Sequence, residues 1–167
     1  MMQRLSILTK EQLAQAATLY TDVWQEDQEE CLARFQKHAT YPHFHSSAMM
    51  INEQMIGFIY GYTSQKGQYY HDLLANHMDH ATYLEWLSNC FEVVELLVHP
   101  TYRQRGIATT LLHQLLNKAP NQTALLTTQQ ENMPARMLYE HEGWTLISDS
   151  FTPQNSATTY VLYGKKI

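Results

Sequence analysis

The segment that most constrains this chain is Phe91–Leu116, FEVVELLVHPTYRQRGIATTLLHQLL. Its first part, Phe91–Val98, is nearly continuous in apolar residues from Val93 onward, which marks a strand covered on both faces near the middle of a sheet. Pro100-Thr101-Tyr102 and a polar loop follow, and a helix is expected over Ile107–Lys118. There Ile107, Leu111 and Leu115 stack beside Ala108, Leu112 and Leu116, until Pro120 stops the helix. The first amides of a helix have no internal partner, and the helix dipole adds partial positive charge at that end. A strand–loop–helix junction with glycine at the turn is therefore an anion site, most naturally for phosphate. Gly106 lets the backbone approach a ligand, Arg103 and Arg105 supply charge, and small Ala108 and Thr109 leave the first turn uncrowded.

Strands and helices interleave along the remaining chain. A strand at Arg4–Leu8 leads to Thr9, an N-cap with Gln12 three residues on, and then to a helix carrying Leu13, Ala16, Ala17, Tyr20 and Trp24. A second helix is expected over 28–38. Ser47–Ile51 and Gln54–Thr63 read as strands around a turn at Asn52-Glu53. Residues 64–90 are aromatic and His-rich, and helical from about Tyr69. Gln122–Thr128 is a strand, and Met133–Glu142 a helix with Asn132 as cap and Gly143 as breaker. Trp144–Phe151 and Thr158–Tyr163 close the chain as strands. This order predicts one three-layer mixed α/β domain over residues 1–167.

Composition narrows the function classes. The net charge is −5, whereas nucleic-acid binders cluster Lys and Arg. Cys31 and Cys90 stand alone, which suits a reducing compartment better than a disulfide or a zinc site. No run approaches a membrane span or a signal peptide, so a cytoplasmic location without membrane contact is expected. Nine histidines include no pair at the i, i+4 spacing of helical metal ligands, and no metal is expected. His71, Tyr69 and Tyr70 with Asp72 read either as a substrate-pocket lining or as a packed aromatic helix.

The phosphate ligand is narrowed by what is missing and what remains. G-x-x-x-x-G-K-[ST] and G-x-G-x-x-G are both absent. What remains, Arg103-x-x-Gly106-x-Ala108 after an apolar strand ending Val98-His99-Pro100, resembles the pyrophosphate-binding motif of the GNAT N-acetyltransferase superfamily. Asn132, Ala135 and Leu138-Tyr139 before Gly143-Trp144 resemble that family's second cofactor motif. The one departure is Ala108, where the family most often has Gly.

The resemblance implies a GNAT-like fold, a mixed, largely antiparallel sheet of six or seven strands flanked by about four helices. It implies acetyl-CoA as acyl donor, with pantetheine along the backbone of Leu96, Leu97 and Val98, of which Leu96 and Val98 point to one edge. The pyrophosphate would lie on the main chain of Arg103, Gln104, Arg105, Gly106, Ile107 and Ala108, with Thr109 close by and Asn132 and Ala135 in the second motif. Tyr139 matches the family's general acid, since a phenol is protonated at neutral pH and can donate to a thiolate. The base is left open among Glu95, Glu92 and a water chain, with Glu95 preferred; strand alternation puts the two carboxylates on opposite faces unless a bulge intervenes. The expected reaction is direct transfer to a primary amine, a small molecule rather than a protein, in a ternary complex, with a homodimer possible. A catalytically idle acyl-CoA sensor is the alternative.

Overall fold

The elements follow from local chemistry before they follow from packing. The computed structural model describes residues 1–153 and 156–167. In chain order it contains β1 (Met2–Leu5), α1 (Lys10–Trp24), α2 (Gln28–His38), β2 (His45–Ile51), β3 (Gln54–Thr63) and α3 (Tyr69–His77). A short turn α4 (His80–Thr82) runs into a π-helical turn at Tyr83–Leu87, then β4 (Cys90–Val98). The chain continues as α5 (Ile107–Leu116), β5 (Thr123–Gln129), α6 (Met133–His141), β6 (Thr145–Phe151) and β7 (Tyr160–Lys166). The strands form a seven-stranded mixed sheet in the order β1-β2-β3-β4-β5-β7-β6. Among the described residues no helix is long and apolar enough to cross a membrane.

The chain groups into two compact units, one of Met1–Tyr62 with Val93–Ala119 and one of Thr63–Glu92 with Pro120–Ile167. In the first, α1 starts at a complete capping box. Gln12 N–H donates to Thr9 Oγ1 at 3.2 Å, and Thr9 N–H donates to Gln12 Oε1 at 2.9 Å. Asp27 caps α2 by accepting from Glu30 N–H at 2.9 Å. The apolar stripe of α1 (Leu13, Ala16, Ala17) meets Cys31 and Phe35 of α2 and Phe58 and Tyr60 of β3 in one buried cluster. The alanines let the helices approach closely, and Phe35 fills the space with ring contacts to Tyr20, Phe58 and Tyr60 at 5.1–5.7 Å between centroids.

The β2–β3 hairpin turns on Asn52 (φ 48°) and Glu53 (φ 64°), both left-handed as a two-residue type I′ turn demands. The first strand covers Met2–Leu5 rather than the expected Arg4–Leu8. Past Leu5 the chain leaves the ladder, because Leu8 N–H turns to Ser46 Oγ at 3.1 Å and Lys118 Nζ takes the Ser6 carbonyl. Helix α5 buries Leu111, Leu112 and Leu115. Gly57 of β3 lies beneath it, where an added Cβ would meet the Leu97 carbonyl at 3.1 Å and Ile107 Cγ2 at 3.4 Å.

In the second unit, β5 pairs in parallel with Cys90–Glu92 and antiparallel with β7 along its whole length, from Thr123↔Lys166 to Gln129↔Tyr160. The last strand therefore runs past the expected end at Tyr163, because the ladder to β5 continues through Gly164 to Lys166. Helix α3 breaks at Met78-Asp79, where Asp79 accepts from Thr82 N–H at 2.8 Å and starts a new turn. The core gathers Leu74, Leu87, Cys90, Leu125, Phe151 and Leu162.

Candidate active site

The loop before α5 is built to leave donors open. His99–Tyr102 forms a tight 3₁₀ turn in which His99 Nδ1 accepts from Thr101 N–H at 3.2 Å and the His99 carbonyl accepts from Tyr102 N–H at 2.9 Å. Arg103 then folds back, its Nε–H donating to the Val98 carbonyl at 3.0 Å, and so ties the loop to the strand end. Gln104 (φ 61°) and Gly106 (φ 75°) are both left-handed. A Cβ on Gly106 would meet nothing within 4 Å, so this position needs glycine for its backbone angle and not for space. The first amide bonded inside the helix is Thr110 N–H, to the Gly106 carbonyl at 3.0 Å. No side chain caps the helix among the described residues, so the earlier amides of the first turn face outward as donors. Arg105 is exposed, with its guanidinium 5.3 Å from the centre of the Tyr102 ring. Ala108 and Thr109 are half-buried. Residues Arg103 to Thr109 thus lie together as a cradle with the chemistry of a pyrophosphate site. Both arginines are exposed and carry charge beside it, with Arg103 anchored to the strand end through Nε while its terminal nitrogens stay available.

Leu97 and Val98 are buried on β4, and Leu96 is half-buried. The two carboxylates of this strand differ sharply in setting. Glu92 is buried within the second unit. Glu95 belongs to the first unit, keeps about a fifth of its side chain exposed (20 %), and faces Arg34 Nη2 at 3.9 Å. Arg34 Nη1 also faces Glu26 at 3.6 Å. Desolvation pushes the Glu95 carboxyl up to about 7, the nearby Glu26 charge adds to the rise, and the Arg34 charge opposes it. A carboxylate poised near neutrality is suited to accept a proton from an amine.

In the second unit, Asn132 caps α6 by accepting from Ala135 N–H at 3.3 Å, and Gly143 (φ 80°) ends the helix as the motif predicts. Tyr139 is 7 % exposed and packs edge-on against Trp144 at 5.8 Å and tilted against Tyr163 at 5.9 Å. The aromatic segment 64–90 splits. His71 and Asp72 line a cavity of about 450 Å³ with Lys66, Ala75, Asn76 and Tyr83. Tyr70 instead packs on Phe151 and bonds Thr127 Oγ1 at 2.7 Å, while Tyr69 is exposed. His71 is buried with Nδ1 2.8 Å from Ser64 Oγ, and burial lowers its pKa.

Arg34, Tyr20 and Glu26 surround Glu95, and the motif reading does not reach them. The signal lay in α2, where Cys31, Arg34, Phe35 and His38 share one helical face, so a cation sits in a stripe that packs inward.

The fold agrees with comparisons to known proteins. The model of the acetyltransferase (GNAT) family matches residues 11–144, and the chain belongs to that family. Solved structures share its fold across nearly their full length. PH1933 from Pyrococcus horikoshii OT3 has 16 % identity and a TM-score of 0.70, covering 100 % of this chain and 99 % of its own. The putative acetyltransferase yncA from Salmonella typhimurium, solved with its cofactor acetyl-CoA, has 12 % identity and a TM-score of 0.70, covering 99 % and 93 %. NAA60 from Arabidopsis thaliana, in complex with a bisubstrate analogue, has 16 % identity and a TM-score of 0.69, covering 100 % and 98 %. No curated protein matches the sequence.

Proposed function

We propose that this protein transfers an acyl group, acetyl in the simplest case, from a coenzyme A thioester to a primary amine. The observation that carries the reading is the open N-terminus of α5 behind β4, in a chain whose residues 11–144 match the acetyltransferase family. Coenzyme A supplies the activated acyl carbon and a thiolate leaving group. The amides from Arg103 to Thr109 bind the pyrophosphate, Arg105 adds charge, and the backbone of Leu96, Leu97 and Val98 receives the pantetheine arm. Asn132 and Ala135 complete the cofactor motif.

The transfer balances as follows. The acceptor nitrogen forms a C–N bond to the acyl carbon as the C–S bond breaks. One proton leaves the nitrogen for Glu95, and one passes from Tyr139 to the departing sulfur. Support for Glu95 is its position on β4 and its raised pKa; support for Tyr139 is the motif Asn132-x-x-Ala135-x-x-x-Tyr139. The acceptor is a small-molecule amine. Between Asp22 and Glu30 the chain carries five carboxylates and no Lys or Arg, which draws cations towards the α1–α2 junction. The two buried free cysteines fit work in a reducing, cytoplasmic setting.

Thermal unfolding with coenzyme A, acetyl-CoA and ATP, followed by thiol release over an amine panel, tests the reading. A ligand at a hundred times its Kd adds about 2.7 kcal/mol. Stabilisation by both thiol cofactors with amine-dependent release is expected. Stabilisation by ATP alone, or no release with any amine, would overturn it.

A further inference from the structure

Arg34 is held more firmly than an ordinary surface cation. Its guanidinium lies 5.3 Å from the centre of the Tyr20 ring of α1 and 5.6 Å from that of Phe35, inside the first unit. Its Nη1 faces Glu26 at 3.6 Å and its Nη2 faces Glu95 at 3.9 Å, so one cation spans two carboxylates. Its Nη2 also contacts Cys31 Sγ at 4.0 Å, and its Nε is buried without a partner among the described residues. The aromatic rings fix the guanidinium plane, and the carboxylates fix which way its terminal nitrogens point. A guanidinium nitrogen buried without a partner costs stability, even on a half-buried side chain. That cost is understandable if the charge is needed at Glu95.

We propose that Arg34 is a positioning residue for Glu95, fixing the place of its carboxylate on β4 and setting the pH at which the acceptor amine can give up its proton. This rests on the reading of Glu95 as the base. The groups that face Glu95 come from every element packed on it. Arg34 and Cys31 lie on α2, Tyr20 on α1, Glu26 between the two helices, and Tyr60 on β3. Cys31 is raised to about 11, and Tyr20 and Tyr60 lie above their ordinary value, so all three are neutral near pH 7. Arg34 and Glu26 are therefore the two charges that tune Glu95, and they act in opposite directions. Glu95 itself explains the geometry of the clamp: without a carboxylate at that point on β4, Arg34 would have only exposed Glu26 to answer.

The experiment is a carboxyl-carbon NMR titration of the full chain, with Glu95→Gln used to assign the Glu95 resonance, beside pH profiles of kcat/KM for the best amine of the panel. In Arg34→Met the Glu95 midpoint is expected to rise by about one unit, and in Arg34→Lys by less. In Glu26→Gln, whose site is exposed and tolerant, the midpoint is expected to fall. The acid limb of kcat/KM should move with the midpoint in each variant. A purely structural role for Arg34 would lower activity without these opposite displacements. A midpoint unmoved in both Arg34→Lys and Glu26→Gln would overturn the part given to Arg34. A midpoint that moves while the acid limb stays still would overturn Glu95 as the base, and Arg34's control of the reaction with it.

Discussion

Helices α1 and α5 lie in the same unit and meet the same physical problem at their starts, yet they meet it in opposite ways. At α1, Thr9 and Gln12 satisfy each other's amides in a closed box. At α5, Gly106 stands at the capping position with φ 75° and no side chain to offer, and the first internally bonded amide is that of Thr110. A side-chain cap stabilises a helix by about 1 kcal/mol. Its omission at α5 leaves those donors for something outside the chain. The lesson is that a helix end without a cap, where neighbouring helices are capped, shows its purpose only when the preceding loop also holds the backbone in a left-handed shape.

The largest expected effect separates holding the donor from reacting with it. Tyr139→Phe should leave coenzyme A affinity intact by calorimetry while kcat falls on the order of a hundredfold or more, as loss of a general acid does. Full turnover at every pH in that variant removes Tyr139 from the chemistry. Next comes the open helix end itself. Gly106→Val forces a β-branched residue into φ 75°, a penalty of about 1–2 kcal/mol or more, and coenzyme A affinity should fall at least about tenfold with the circular dichroism unchanged. Unchanged affinity there would erase the contrast between the two helices.

A third effect is visible in pH, because neither helix start depends on a titrating cap. Folding raises the Glu95 carboxyl from 4.5 to about 7, so the folded state holds that proton more tightly and stability declines as pH rises across that window. His38, buried with its Nδ1 2.8 Å from Tyr60 Oη, is lowered from 6.5 to about 4, so its contribution grows as pH rises between those values. The two slopes oppose each other in wild type. In Glu95→Gln the opposing carboxyl slope is gone, and urea unfolding from pH 4 to 7 should show stability climbing more steeply than in wild type. Identical slopes in the two proteins would contradict the raised Glu95. The smallest effect is expected at α1, where Thr9→Ala should cost about 1 kcal/mol of stability and leave coenzyme A affinity alone.

Much of this was legible in the sequence because it is written locally. The Thr9–Gln12 box, the Asn52-Glu53 turn, the Asn132 cap and the Gly143 stop each need only residues a few positions apart. The apolar run ending at Val98 and the glycine after Arg105 mark the strand–loop–helix junction for the same reason. What stayed hidden depends on distant partners. Nothing near Arg103 in sequence says that its Nε–H turns back to the Val98 carbonyl. The difference between Glu92 and Glu95 comes from helix α2, some sixty residues earlier, bringing Arg34 to one of them. The end of β7 lies beyond the expected Tyr163, because the ladder to β5 carries the strand on to Lys166.

Gly57 offers no donor to the start of α5, yet it governs the thickness of the layer beneath it. With no side chain at this point of β3, Ile107 settles against the sheet, and the first turn of α5 takes its height from that contact. A single methyl group there would act as a shim, lifting the helix start by a few tenths of an ångström against the fixed carbonyl of Leu97. If α5 holds the acyl donor as proposed, its affinity is tuned from beneath, by a residue of the sheet.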